Sequence, residues 1–220
     1  MKKILSAVFL AVLFPIASCS AESDTAPSLD RFVEGKDYSL LARPVRTADP
    51  SKIEVTEIFW YGCIHCFRLE PELEEWLPEQ ADDVNFVHLP AIWAEQMELH
   101  AAMLYANQAL GLTDQLHGLI FEEMNVNGNK MPTEADILEF VSDQGIDAEK
   151  YRRALNSFGV NSQVQQARAK MGAYGVRGTP EMVINGKYKL TTAMSGSFQR
   201  MLEIADELIE RERRAMAAAE

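Results

Sequence analysis

The chain has 220 residues, 47% of them hydrophobic and 25% charged. These are ordinary globular proportions, enough to bury a core in one domain, or one domain with an insertion, without cysteine staples. The formal net charge of −12 argues against a nucleic-acid partner, since phosphate binding needs a basic stripe.

Lys2 and Lys3 precede an apolar run from Ile4 to Phe14, broken only by Ser6, and small residues follow through Ala21. This is the pattern of a secretory signal peptide, too short for a spanning helix. Removing 1–21 takes away two lysines and no acid, leaving a charge of −14. Export would place the chain where disulfides form and persist. Ile16-Ala17-Ser18-Cys19 resembles a bacterial lipobox, which would end the signal at residue 18 and make Cys19 a lipidated N-terminus. Cleavage after Ala21 fits the same residues. Ser20–Ser28 is small and polar, which suits a tether or a plain N-terminal tail.

Ile53–Phe59 reads as a strand, with Ile53, Val55, Glu57 and Phe59 on one face. Cys63 to about Leu77 reads as a helix interrupted by Pro71, and Val84–Leu89 as a second strand. A helical block follows: Glu95–Leu110 closed by Gly111, then Thr113–Glu123. A third helix opens on the Thr133/Asp136 capping box, and a fourth on Asp147. A further helix is predicted over Asn161–Tyr174. Glu181–Ile184 and Lys187–Leu190 flank Asn185-Gly186, a strong hairpin signal because a type I′ turn needs positive φ at both positions. An amphipathic helix over about Ser197–Ala217 ends the chain. The simplest interpretation is an α/β domain split by an all-helical insertion of roughly 65 residues.

Of three cysteines, Cys63 and Cys66 lie in Phe59-Trp60-Tyr61-Gly62-Cys63-Ile64-His65-Cys66, after a strand and at a helix start. A thiol there meets unpaired N–H groups and the positive end of the helix dipole, which stabilise its thiolate. Cys66, at i+3, shares the helix face and lies close enough for a disulfide. A structural pair or a metal site is the bland alternative, but His65 adds only a third ligand and zinc wants four. Phe67 in place of histidine argues against covalent haem.

The chain resembles the DsbA family of periplasmic thiol:disulfide oxidoreductases. The likeness rests on Phe32–Tyr38, Glu57–Cys66, Val176-Arg177-Gly178-Thr179-Pro180 and the hairpin after Pro180, and covers nearly all of the mature chain. It implies a thioredoxin fold interrupted by an all-helical domain. The first thioredoxin segment would run over 22–92, the helical insertion over 93–158 and the second thioredoxin segment over 159–220. The likeness also implies a redox-active Cys63–Cys66 disulfide, with Cys63 attacking, Cys66 buried and resolving, and His65 tuning the Cys63 thiolate. Pro180 resembles the cis-proline facing the dithiol, and Thr179 the residue whose backbone pairs with an extended substrate. Glu57 resembles a buried acid relaying protons to Cys66; the alternative is a carboxylate at a solvated strand end. Ile64 stands where the family commonly has proline, adding an N–H and bulk at the substrate surface and altering the potential.

The function implied is donation of the disulfide to unfolded or reduced exported proteins in the periplasm. No cofactor or metal is implied, and reoxidation would fall to a DsbB-type membrane quinone reductase. A disulfide isomerase or reductase, or a lipid-anchored chaperone-like module, are the alternatives. A V-shaped dimeric isomerase would need an N-terminal dimerisation module, and only about 30 residues separate the signal from the first strand, less than even a small domain requires; a monomer is expected. His88, His100 and His117 are scattered and receive no role. Glu70, Glu72, Glu74, Glu75 and Glu79 read as a solvated face, and Met97, Met103 and Met124 as core or groove lining.

Overall fold

The computed structural model describes residues 31–218; the signal segment and Cys19 lie outside them. A five-stranded mixed sheet has the order β1-β5-β4-β2-β3. Its strands are β1 (Ser39–Leu40), β2 (Ile53–Phe59), β3 (Val84–Pro90), β4 (Glu181–Ile184) and β5 (Tyr188–Thr191). β2 is an interior strand, parallel to β3 and antiparallel to β4. Every one of its seven residues is therefore buried, on both faces.

Helix α1 (Ile64–Trp76) returns from β2 to β3 and contains Pro71. Between β3 and β4 lie α2 (Glu95–Leu110), α3 (Thr113–Asn125), α4 (Glu134–Asp143), α5 (Ala148–Leu155) and α6 (Phe158–Tyr174). A short α7 (Thr192–Ser195) and the long α8 (Phe198–Ala217) close the chain. This is a thioredoxin fold with a helical insertion. The Thr133/Asp136 capping box and the Asp147 cap form as expected. α6 begins three residues earlier than predicted, because Ser157 supplies the cap by accepting from the Val160 N–H. β1, α7 and the 3-10 turn Leu77–Glu79 are too short to leave a periodic signature.

Two cores sandwich the sheet. One joins Ile53, Val55, Met182, Ile184 and Leu190 to Leu69, Leu73 and Trp76 of α1 and to Ile204, Leu208 and Ile209 of α8. The other joins Ile58, Phe59, Leu89 and Val183 to the insertion, with Met103, Leu116, Ile120, Phe121 and Tyr151 at its centre. Met97, Met103 and Met124 are all buried there. The Asn185-Gly186 turn forms with φ of 48° and 60°. A Cβ on Gly186 would overlap the Val45 carbonyl, so glycine is needed for close approach as well as for φ.

Candidate active site and the chamber beneath it

Cys63 is the N-cap of α1 and half-buried, whereas Cys66 is fully buried. Both are free thiols, so the structure shows the reduced form. The Cys63 pKa is lowered to about 5. The main cause is the hydrogen bond from the Cys66 thiol; the Thr179 side chain and the backbone N–H groups of Cys66 and His65 add to it, against burial. Cys66 is pushed the other way, first by burial, then by its bond to Cys63 and by the Glu57 charge. One sulfur is thus held as thiolate at neutral pH and the other as thiol.

The cis Thr179–Pro180 bond places Thr179 opposite the dithiol, with Cys63 Sγ 3.5 Å from the Thr179 carbonyl oxygen. The preceding turn is held by Glu181, whose Oε1 accepts from the N–H groups of Arg177 (3.2 Å) and Gly178 (3.1 Å). Glu181 is absent from the site residues expected above, because in sequence it looks like an ordinary strand residue; it is only 4% exposed. The His65 contribution that reaches the sulfur is its backbone N–H; its side chain is exposed. Ile64 is 39% exposed and borders the same rim.

The insertion grips this rim. Trp60 Nε1 donates to His100 Nδ1 at 3.0 Å, and His100 Nε2 lies 3.1 Å from the Met131 carbonyl oxygen. Asn125 Nδ2 donates to the Tyr61 carbonyl at 2.7 Å. A Cβ on Gly62 would overlap the Trp60 ring, so glycine lets the indole fold back over the motif.

Glu57 is fully buried, not at a solvated strand end, and neither carboxylate oxygen has a hydrogen-bond partner. Burial, then the charges of Glu70 and Cys63, raise its pKa well above 4.5. His88 lies directly across the β2–β3 ladder, with Nε2 3.4 Å from Glu57 Oε2. Burial lowers its pKa to about 3, so it is neutral. Glu70 leaves the expected solvated face and turns inward, its Oε2 3.2 Å from His117 Nε2 and its side chain 13% exposed. Tyr61 Oη and His117 Nδ1 are 2.9 Å apart. The His88 and His117 rings lie 4.5 Å apart, centroid to centroid. Histidines that look scattered in sequence thus meet under the dithiol, because β3 and α3 converge there.

A dithiol at a helix N-terminus, opposite a Thr-Pro turn on a thioredoxin sheet, defines a thiol:disulfide oxidoreductase. The DSBA-like thioredoxin domain family matches residues 79–208. The thiol:disulfide interchange protein DsbA of Pseudomonas aeruginosa is 37% identical over 190 residues, 86% of this chain and 90% of that protein. DsbA of Azotobacter vinelandii is 37% identical over 181 residues, 82% and 85% of the two chains. A crystal structure of Pseudomonas aeruginosa DsbA superposes with a TM-score of 0.82, covering 86% of this chain and 98% of that one. This chain belongs to the DSBA-like family of thiol:disulfide oxidoreductases.

Proposed function

We propose that the chain oxidises exported proteins in the periplasm by donating a Cys63–Cys66 disulfide. The supporting observation is the division of labour between the sulfurs, one with a pKa of about 5 and half-exposed, the other buried and protonated.

In the oxidised enzyme a substrate thiolate attacks the Cys63 sulfur. The bond to Cys66 breaks as the mixed disulfide forms, and its electron pair leaves on Cys66. That sulfur needs a proton at once, and Glu57, kept uncharged by burial, is the proposed donor. The second substrate thiolate then attacks the substrate sulfur of the mixed disulfide, and Cys63 departs as a stable thiolate. Two electrons have passed to the enzyme, which ends with Cys63 as thiolate and Cys66 as thiol, Glu57 regaining its proton from solvent. Thr179 is proposed to pair with the substrate backbone, Pro180 to hold that segment against the dithiol, Ile64 to touch the substrate, and His65 to support the Cys63 thiolate.

A DsbB-type membrane partner passing electrons to quinone is proposed to restore the disulfide without a dissolved cofactor, and the chain is proposed to work as a monomer. Domain boundaries are placed at 22–92, 93–158 and 159–220, after a signal ending at 21, or at 18 if Cys19 is lipidated. A radioactive fatty-acid label on the mature protein would assign Cys19 as an anchor; no label would assign cleavage after Ala21. Among the described residues no helix is long and apolar enough to cross a membrane.

The decisive measurement is the reduction potential of the pair against glutathione in the signal-free protein. A value well above that of the glutathione pool is expected. A value near that of thioredoxin, about −270 mV, would overturn the oxidase and point to a reductase.

A further inference from the structure

The chamber under the dithiol holds more polar atoms than hydrogen bonds. Both Glu57 oxygens, Glu70 Oε1, His88 Nε2 and His117 Nε2 are buried without a hydrogen-bond partner. Such groups are costly when left unpaired, so several converging on one point call for a shared partner. One donor atom each from Glu70, His88 and His117 lie within 4.8 Å of one another. Glu57, on β2, flanks this group without belonging to it, with Oε2 3.4 Å from His88 Nε2.

The spacing suits a small four-coordinate cation. Ligands about 2.0–2.1 Å from a tetrahedral ion lie about 3.3–3.4 Å apart. The Glu70–His117 atom pair is 3.2 Å apart, near one edge of such a tetrahedron yet lacking hydrogen-bond geometry. We propose that Glu70, His88 and His117 form a three-donor binding site for a zinc-class divalent cation, with the fourth position left to water.

The chemistry of the donors agrees. Two imidazoles with a carboxylate select zinc-class ions over calcium or magnesium, which want mostly oxygen. The Tyr61 hydroxyl 2.9 Å from His117 Nδ1 is the outer partner that would fix that ring with Nε2 toward the metal. The three donors come from α1, β3 and α3, so a bound ion would tie the insertion to the sheet beneath the active cysteines. This departs from the sequence expectation of no metal, which weighed only Cys63, Cys66 and His65 as ligands.

The test uses mature, EDTA-treated protein in its oxidised form, where the disulfide offers no thiolate. Titration with Co2+ should give one equivalent per chain, with the visible bands of a four-coordinate ion and no thiolate charge-transfer band. Zn2+ should displace the Co2+ and raise the melting temperature. Tyr61→Phe, which keeps the ring packing, should weaken Zn2+ binding by about 10- to 100-fold. Glu70→Gln and His117→Ala should weaken it further. If His117→Ala fails to fold, the other two variants decide. No uptake by the oxidised wild type, or uptake that Tyr61→Phe and Glu70→Gln leave unchanged, would overturn the site and leave the chamber as a buried polar cluster.

Discussion

One face of α1 borders two opposite environments. At its start Cys63 is surrounded by donors: the Cys66 thiol, the Thr179 side chain and two backbone N–H groups. Seven residues on, about two turns along the same face, Glu70 enters a chamber where buried carboxylates and imidazoles face one another without hydrogen bonds. The rim stabilises a negative charge. The chamber, through burial, resists one: Glu57 and Cys66 are both pushed toward their protonated forms. A helix terminus supplies the first condition from the backbone alone, whereas the second requires several elements to close over polar side chains.

The contrast breaks most sharply at Cys63. Cys63→Ser should abolish oxidation of a reduced, unfolded substrate protein, measured as loss of free thiols over time. A variant that still protects the substrate to the same extent would favour a holdase. In the chamber, Glu57→Gln should raise the stability of the metal-free protein near neutral pH, because glutamine lacks the ionisation that favours the unfolded chain over a buried, protonated Glu57. The pKa of this acid is raised on folding, so its penalty grows as pH rises above the unfolded value of 4.5 and disappears below it. Urea melts of both proteins at low and neutral pH check this; a gain that persists in acid would refute it.

At the rim the sign reverses. Folding depresses the Cys63 pKa from 9.0 to about 5, so the thiolate stabilises the reduced form fully above the higher value. That contribution falls with pH and is gone below the lower one. The stability advantage of reduced over oxidised protein should therefore shrink from neutral pH toward 5; a constant difference would show that the thiolate does not set it. Thr179→Val should raise the Cys63 pKa by about one unit, read from the ultraviolet absorbance of the thiolate. An unchanged titration would remove Thr179 from the set of stabilising donors. The smallest effect is expected from Ile64→Pro, which should move the potential by up to about 30 mV, a tenfold change in exchange equilibrium. If both potential and Cys63 pKa stayed put, Ile64 would have no tuning role.

What was legible in sequence is local. Thr133 with Asp136, Asp147, Gly111 and Asn185-Gly186 each specify their own cap or turn, because the groups they satisfy lie within four residues. The dithiol is legible for the same reason: three residues of spacing on a helix and a strand before it place both sulfurs. Glu57 could be read from residues alone either as a solvated strand end or as a buried acid. The choice was made by β3 and β4 flanking β2.

By itself the sequence determined the elements, the reactive pair and its place at a helix start, since hydrophobic period and capping act over a few residues. Only the tertiary structure decided that Trp60 reaches His100 and that Glu57, Glu70, His88 and His117 share one chamber. Those partners are separated by up to 60 residues along the chain, and what joins them is packing of the insertion against the sheet. No local pattern encodes that proximity, because each of these side chains is chemically ordinary until its neighbours exclude water.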